Sequence, residues 1–213
     1  MQMNINTTPS IFARSLLALA LAASAGLGHA ATSFHAEINT AAFAGSSGWL
    51  DFQFNPGALP AVAAMASLSH LSGSFESGQF LEGQAVGSLQ SGFVFGNGSG
   101  FNDLFQSVTL GGKFGFDISF SGDFVNLPGN IGTTFSVGLL GADQISYLGN
   151  PGGVLFQIDL MPTDGALPAS VTLSLQDSSI TSVTAAVPEP SSYALLLGGL
   201  ALLGGLSRRR QAR

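Results

Sequence analysis

The chain has no cysteine among its 213 residues. That absence excludes a disulfide framework, thiol catalysis and any zinc site built on thiolates, and it leaves apolar burial to hold the fold. Basic side chains are nearly as scarce, with six Lys and Arg against twelve Asp and Glu. Within residues 31–186 Lys113 is the one Lys or Arg, facing eleven carboxylates, for a net charge of about −10. Phosphate binding depends on clustered Lys and Arg, so nucleic acid is excluded as a partner of this segment. Scattered acidity of this kind mostly keeps a protein solvated. No apolar run reaches the roughly 20 residues of a stable membrane span. No repeat of about 20–50 residues is visible either, which argues against a solenoid or propeller.

What the sequence does contain is informative first at its two ends. Arg14 precedes an apolar stretch over residues 16–25, and Gly28-His29-Ala30 supplies small residues at the minus-three and minus-one positions of a signal-peptidase site. Residues 1–30 therefore read as a signal peptide cut between Ala30 and Ala31; a buried core helix would have to ignore the basic flank. At the other end, Pro188, Glu189 and Pro190 precede an apolar run over residues 193–206 and then Arg208, Arg209, Arg210 and Arg213. As a helix that run spans about 21 Å against a hydrocarbon core of about 30 Å, which suits transient retention better than a permanent anchor. The arginines hold their end cytoplasmic, leaving everything before Pro188 across the membrane. Two prolines keep the motif extended and short of backbone donors, an accessible peptide just outside the bilayer.

This order of motif, short helix and basic end over residues 187–213 resembles the sorting signal of PEP-CTERM proteins, and Pro188, Glu189 and Pro190 match it residue for residue. The alternative is an ordinary membrane anchor in which the motif arose by chance. The resemblance implies recognition by exosortase, a membrane transpeptidase-like processing enzyme, in Gram-negative bacteria that make extracellular polysaccharide. Two further segments, GWLDFQFNPG at residues 48–57 and FNDLFQSVTLG at residues 101–111, resemble sequences recurring in one group of such proteins, a group that lends no catalytic residues.

Between the signals, residues 31–186 are long enough for one domain with a real core. Leu50, Phe52 and Phe54 alternate with Trp49, Asp51 and Gln53 until Asn55-Pro56-Gly57 stops the run. The same period of two places Phe114, Phe116, Ile118 and Phe120 on one face, and likewise Val154, Phe156, Ile158 and Leu160, and Val171, Leu173 and Leu175. Weaker candidates lie at residues 34–38, 62–71, 86–95, 104–110, 135–139 and 180–183. About ten short strands with Gly and Asn punctuation predict an all-β fold, an antiparallel β-sandwich, with a jelly roll as one form of it. Residues 60–71 are the exception, since their alanines favour helix; a strand is the preferred reading.

Catalytic groups are few. Only His35 and His70 remain between the signals, and no Gly-x-Ser-x-Gly elbow occurs. His35 shares a strand face with Glu37, which could begin a metal site, but the pair offers two ligands where zinc takes at least three, so no metal is assigned. Glu76 and Glu82 are glycosidase candidates by type, in a Gly-rich region that otherwise reads as an exposed, mobile loop. Calcium is the one conceivable cofactor, through Asn97, Ser99, Asn102 and Asp103 in a loop that a glycine-rich hairpin explains as well. The stretch from Gly111 to Asp117 departs from a calcium nonapeptide by one residue and reads as a turn into a strand. Trp49, beside Asp51 and Gln53, is the best candidate for stacking on a sugar, unless both faces of its strand are covered and it belongs to the core.

These readings converge on a noncatalytic exported protein of the cell surface or extracellular matrix, for which the resemblance implies association with exopolysaccharide or biofilm. Its expected partners are signal peptidase, exosortase and exopolysaccharide, and it is tethered to the inner membrane until processing. A polysaccharide-binding sandwich is the alternative, and an extracellular hydrolase the third choice.

Overall fold

The computed structural model describes residues 32–186. The expected signal peptide with Ala30 and Ala31, the motif Pro188, Glu189 and Pro190, the run 193–206 and the arginines Arg208, Arg209, Arg210 and Arg213 lie outside the described residues.

Strand follows strand: β1 (Ser33–Asn39), β2 (Ser47–Pro56), β3 (Met65–Ser72), β4 (Phe75–Glu82), β5 (Ala85–Ser88), β6 (Gly92–Gly96), β7 (Asp103–Thr109), β8 (Lys113–Ser121), β9 (Thr133–Gly141), β10 (Val154–Met161), β11 (Ser170–Leu175) and β12 (Thr181–Ala185). Short 3-10 turns at Ala41–Phe43 and Asp123–Val125 are the helical elements among the described residues. The strands build two six-stranded sheets, β12-β1-β8-β3-β6-β5 and β11-β10-β9-β2-β7-β4, here called sheets A and B. Every strand pairing within them is antiparallel. The order β1-β8-β3-β6 in one sheet with β2-β7-β4 in the other follows the interleaving of a jelly roll, except that β5 pairs with β6 in sheet A rather than joining β4; β9, β10 and β11 are added beside β2 and β12 beside β1.

Alternation decides the packing. Phe34, Ala36 and Ile38 of β1, Leu50, Phe52 and Phe54 of β2, and Phe114, Phe116, Ile118 and Phe120 of β8 all face the interior and are buried. Phenylalanines join the sheets across it: Phe52 meets Phe116 edge-on at 5.2 Å, and Phe95 meets Phe135 at 6.1 Å. Without disulfides, these rings and the aliphatic residues between them supply the cohesion, at roughly 1.5–3 kcal/mol for each large side chain fully buried.

Four expectations need correction. Residues 86–95 make two strands, β5 and β6, because the turn after Ser88 reverses the chain; Val86 then pairs with Val94. In β10 a bulge between Val154 and Phe156 turns Leu155 inward and leaves Val154 only half-buried, whereas strict alternation predicts the reverse. The strand expected at residues 62–71 starts at Met65, where Ala66 and Leu68 face the core between β6 and β8. Pairing on both sides there overrides the helical preference of alanine. The run before it is held instead by Asn97, whose Oδ1 accepts from the Ala64 amide and whose Nδ2 donates to the Val62 carbonyl. Finally, residues 75–82, read as a mobile loop, form the edge strand β4. Its register shifts between Phe75 and Gln79, and the buried Gln106 fills the irregularity by donating from Nε2 to the carbonyls of Glu76 and Gly78.

Candidate functional site

Because Leu50, Phe52 and Phe54 are committed to the core, β2 must present Trp49, Asp51 and Gln53 on the outer face of sheet B. Trp49 is half-buried there and is not part of the core. Register places Asp51 opposite Phe105 and Gln53 opposite Asp103 on β7, and Phe105 opposite Phe80 on β4. The Trp49 ring stacks on Phe105 at 4.8 Å with 5° between the planes, and Phe80 lies 5.7 Å from it at 30°. Phe80 is 61 % exposed, so the cluster has one ring open to solvent.

Polar groups run beside this platform. Asn55 Nδ2 donates to Gln53 Oε1 at 3.2 Å, and Gln53 Nε2 donates to Asp51 Oδ2 at 2.8 Å. Asp51 Oδ1 and Asp103 Oδ1 are both buried without another partner. A proton kept by Asp103 in its hydrogen bond with Asp51 would satisfy both oxygens. Accordingly the Asp103 carboxyl is pushed up to about 8, first by burial, then by its hydrogen bond with Asp51 and by the charges of Asp51 and Glu82. Trp49, Asp51 and Gln53 are thus brought together as expected, while Phe80, Phe105 and Asp103 join them from strands that no local pattern connects to β2.

On the outer face of sheet A the chain unites the two histidines, which lie far apart in sequence. His35 Nδ1 is 2.6 Å from Asp117 Oδ1, and His70 Nδ1 is 2.8 Å from Asp117 Oδ2. Hydrogen bonding from His35 holds the Asp117 carboxyl below the usual range, with His70 adding to it. His70 occupies the left-handed region at φ 52°, where the β3 register slips between Ser69 and Ser72. The expected His35–Glu37 pairing gives way to a different one, because Glu37 Oε1 accepts from Lys113 Nζ at 2.7 Å. Among the described residues no group of three or more His, Asp or Glu side chains converges as metal ligands would.

The loop weighed for calcium is occupied with structure. Asn102 is fully buried: its Oδ1 accepts from the Gln84 amide and its Nδ2 donates to the carbonyls of Phe54 and Ser99. Asp103 belongs to the pair with Asp51, and the stretch ending at Asp117 is a turn into β8. Glu76 Oε1 accepts from Thr109 Oγ1, and Glu82 sits opposite Asp103; both lie on the exposed β4 rather than in a cleft. A cleft of about 320 Å³ between residues 60–62 and 128–131 has no titratable side chain in its lining.

The last described residues meet the first. Phe34 pairs with Ala185, and the Ala186 amide donates to the Ser33 carbonyl at 2.8 Å, so the described chain ends beside the start of β1.

Residues 186–211 match the family model of the PEP-CTERM protein-sorting motif, a match confined to the tail. No curated protein and no solved structure matches the chain. The tail motif implies an exported protein sorted at the membrane by exosortase and then localised to the surface.

Proposed function

We propose that the mature chain is a noncatalytic component of the cell surface or extracellular matrix, delivered by exosortase into the exopolysaccharide layer of a biofilm-forming Gram-negative cell. The sorting motif over residues 186–211 is the observation that carries this reading. A cysteine-free, phenylalanine-packed sandwich with an acidic exterior suits it, since such a fold needs no oxidative folding and stays soluble among neutral polymers. Signal peptidase removes residues 1–30 and exosortase removes the segment after the motif. Intact mass of the product from membrane, surface and medium fractions tests this. A surface or medium species that begins at Ala31 and ends near Pro190, and that is lost in the Pro188→Ala, Glu189→Ala double variant, is expected. A tail retained in both would sink it.

The outer face of sheet B favours a second reading, a polysaccharide-binding module. Trp49 lies outside the core, with Phe80 exposed beside it and amide and carboxyl groups of Gln53, Asp51 and Asp103 within the same patch. Rings with flanking hydrogen-bonding groups are what sugar faces and hydroxyls require. Affinity electrophoresis through native polysaccharides should retard the body. Trp49→Ala should abolish the retardation, and a broad panel that gives none rejects this reading.

A further inference from the structure

The sorting motif begins almost flush with the folded sheet. The Ala186 amide is bonded to Ser33, and Pro188 follows two residues later, which is at most about 7 Å of extended chain. Glu189, at the centre of the motif, reaches about 10 Å beyond the last sheet hydrogen bond. Two packed sheets with their outer side chains are wider than that, since the sheets alone stand about 10 Å apart. A processing enzyme that grips the motif in an extended cleft would therefore have to work within about 10 Å of the folded sheet.

β12 offers the missing length. It is the edge of sheet A and pairs only with β1, over the register from Phe34 with Ala185 to Ile38 with Thr181. Of its residues, Thr181 is buried and Val183 half-buried, while Ser182, Thr184 and Ala185 face outward or are exposed. Edge strands with few buried contacts open locally at the least cost. Release of residues 181–186 from β1 would lend the motif about 20 Å more reach.

We propose that β12 is a releasable strand, and that exosortase takes the tail only while β12 is unpaired from β1, so that pairing at this edge sets the rate of tail removal. This rests on the sorting reading of the tail. It assigns the folded body a part in its own sorting: chains whose sheet edge is still open, as during export, are processed fastest.

The test exploits the absence of cysteine, which prevents mispairing. Glu37 and Ser182 are register partners with outward side chains. The bonds from Ala186 to Ser33 and from Asn39 to Ile180 place them at a hydrogen-bonded position of the ladder, where Cα atoms stand about 5.5 Å apart, within disulfide range. In a host that trims the wild-type chain, the oxidised Glu37→Cys, Ser182→Cys variant should keep its tail, with trimming slowed at least tenfold. Reductant should restore trimming, and so should six Gly/Ser residues inserted between Ala186 and Val187 of the oxidised form. The same insertion in the otherwise wild-type chain, which has no lock to disturb folding, should accelerate trimming. Wild-type rates in the oxidised variant, no rescue by the insertion, or no acceleration by it overturns the proposal. A wild-type chain that keeps its tail overturns the sorting reading instead, and this inference with it.

Discussion

Asp103 shows how one side chain carries a property that its sequence neighbourhood does not announce. In FNDLFQ it reads as a loop acid, whereas on β7 it is pressed against Asp51 and held near a pKa of about 8. The folded chain therefore keeps a proton that the unfolded chain releases above pH 4. Stability should be greatest at the acid end of this window, fall as pH rises from about 4 to 8, and level off beyond. Asp103→Asn removes the titrating group while retaining its shape. Thermal denaturation from pH 4.5 to 8.5 should show a falling Tm for the wild type and a flatter profile for the variant. At pH 8 the variant should be the more stable by on the order of 1–2 kcal/mol, a figure discounted for partial exposure. Parallel profiles would mean that the proton is not held as described. Among single side chains, too, Phe80 is exposed and Phe116 fully buried. Phe116→Ala should cost about 3–5 kcal/mol in urea unfolding, against less than about 0.5 for Phe80→Ala. Comparable losses would contradict the assignment of the two faces.

Among the elements, those with one buried face are legible in the sequence, because a period of two records which side meets the core; β1, β2 and β8 are cases. β4 is not, since it is an edge whose residues are largely exposed and whose irregular stretch is closed by Gln106 from the neighbouring strand. The bulge in β10 is hidden for a related reason: Val154 and Leu155 are both apolar, so composition cannot say which turns inward. Asn97 and Asn102, weighed as ligands, act instead as caps between elements, a role visible only once residues 84, 54 and 62 are brought to them. Asn102→Ala would strand a buried amide and two carbonyls, at about 2–4 kcal/mol. In a domain of this size that lowers Tm by roughly 5–12 °C. A change of under about 2 °C would show that these groups find other partners.

For the whole molecule, the absence of disulfides makes burial the common support of both sheets, and the jelly-roll interleaving ties each half to the other. The same topology brings β12 beside β1, so the last described residue, Ala186, is bonded to Ser33. It also gathers the candidate glycan face: Trp49, Asp51 and Gln53 share one strand and are recognisable together, while Phe80, Phe105 and Asp103 come from β4 and β7. If that face binds polysaccharide, retardation in affinity gels should weaken above pH 8, when Asp103 loses its proton. Asp103→Asn should bind equally at pH 6 and pH 9. A wild-type retardation unchanged across that range would separate the carboxyl pair from binding.

Contiguous residues, or a period of two, are enough to specify the sorting address, the two-faced strands and the reliance on apolar burial. Which residues share a surface is settled only by folding. It places His35 and His70 on one carboxylate, Asp51 against Asp103, and the end of β12 against Ser33. Those meetings depend on strand order and register, which are set by how the whole set of apolar faces packs at once, and no local segment contains that information.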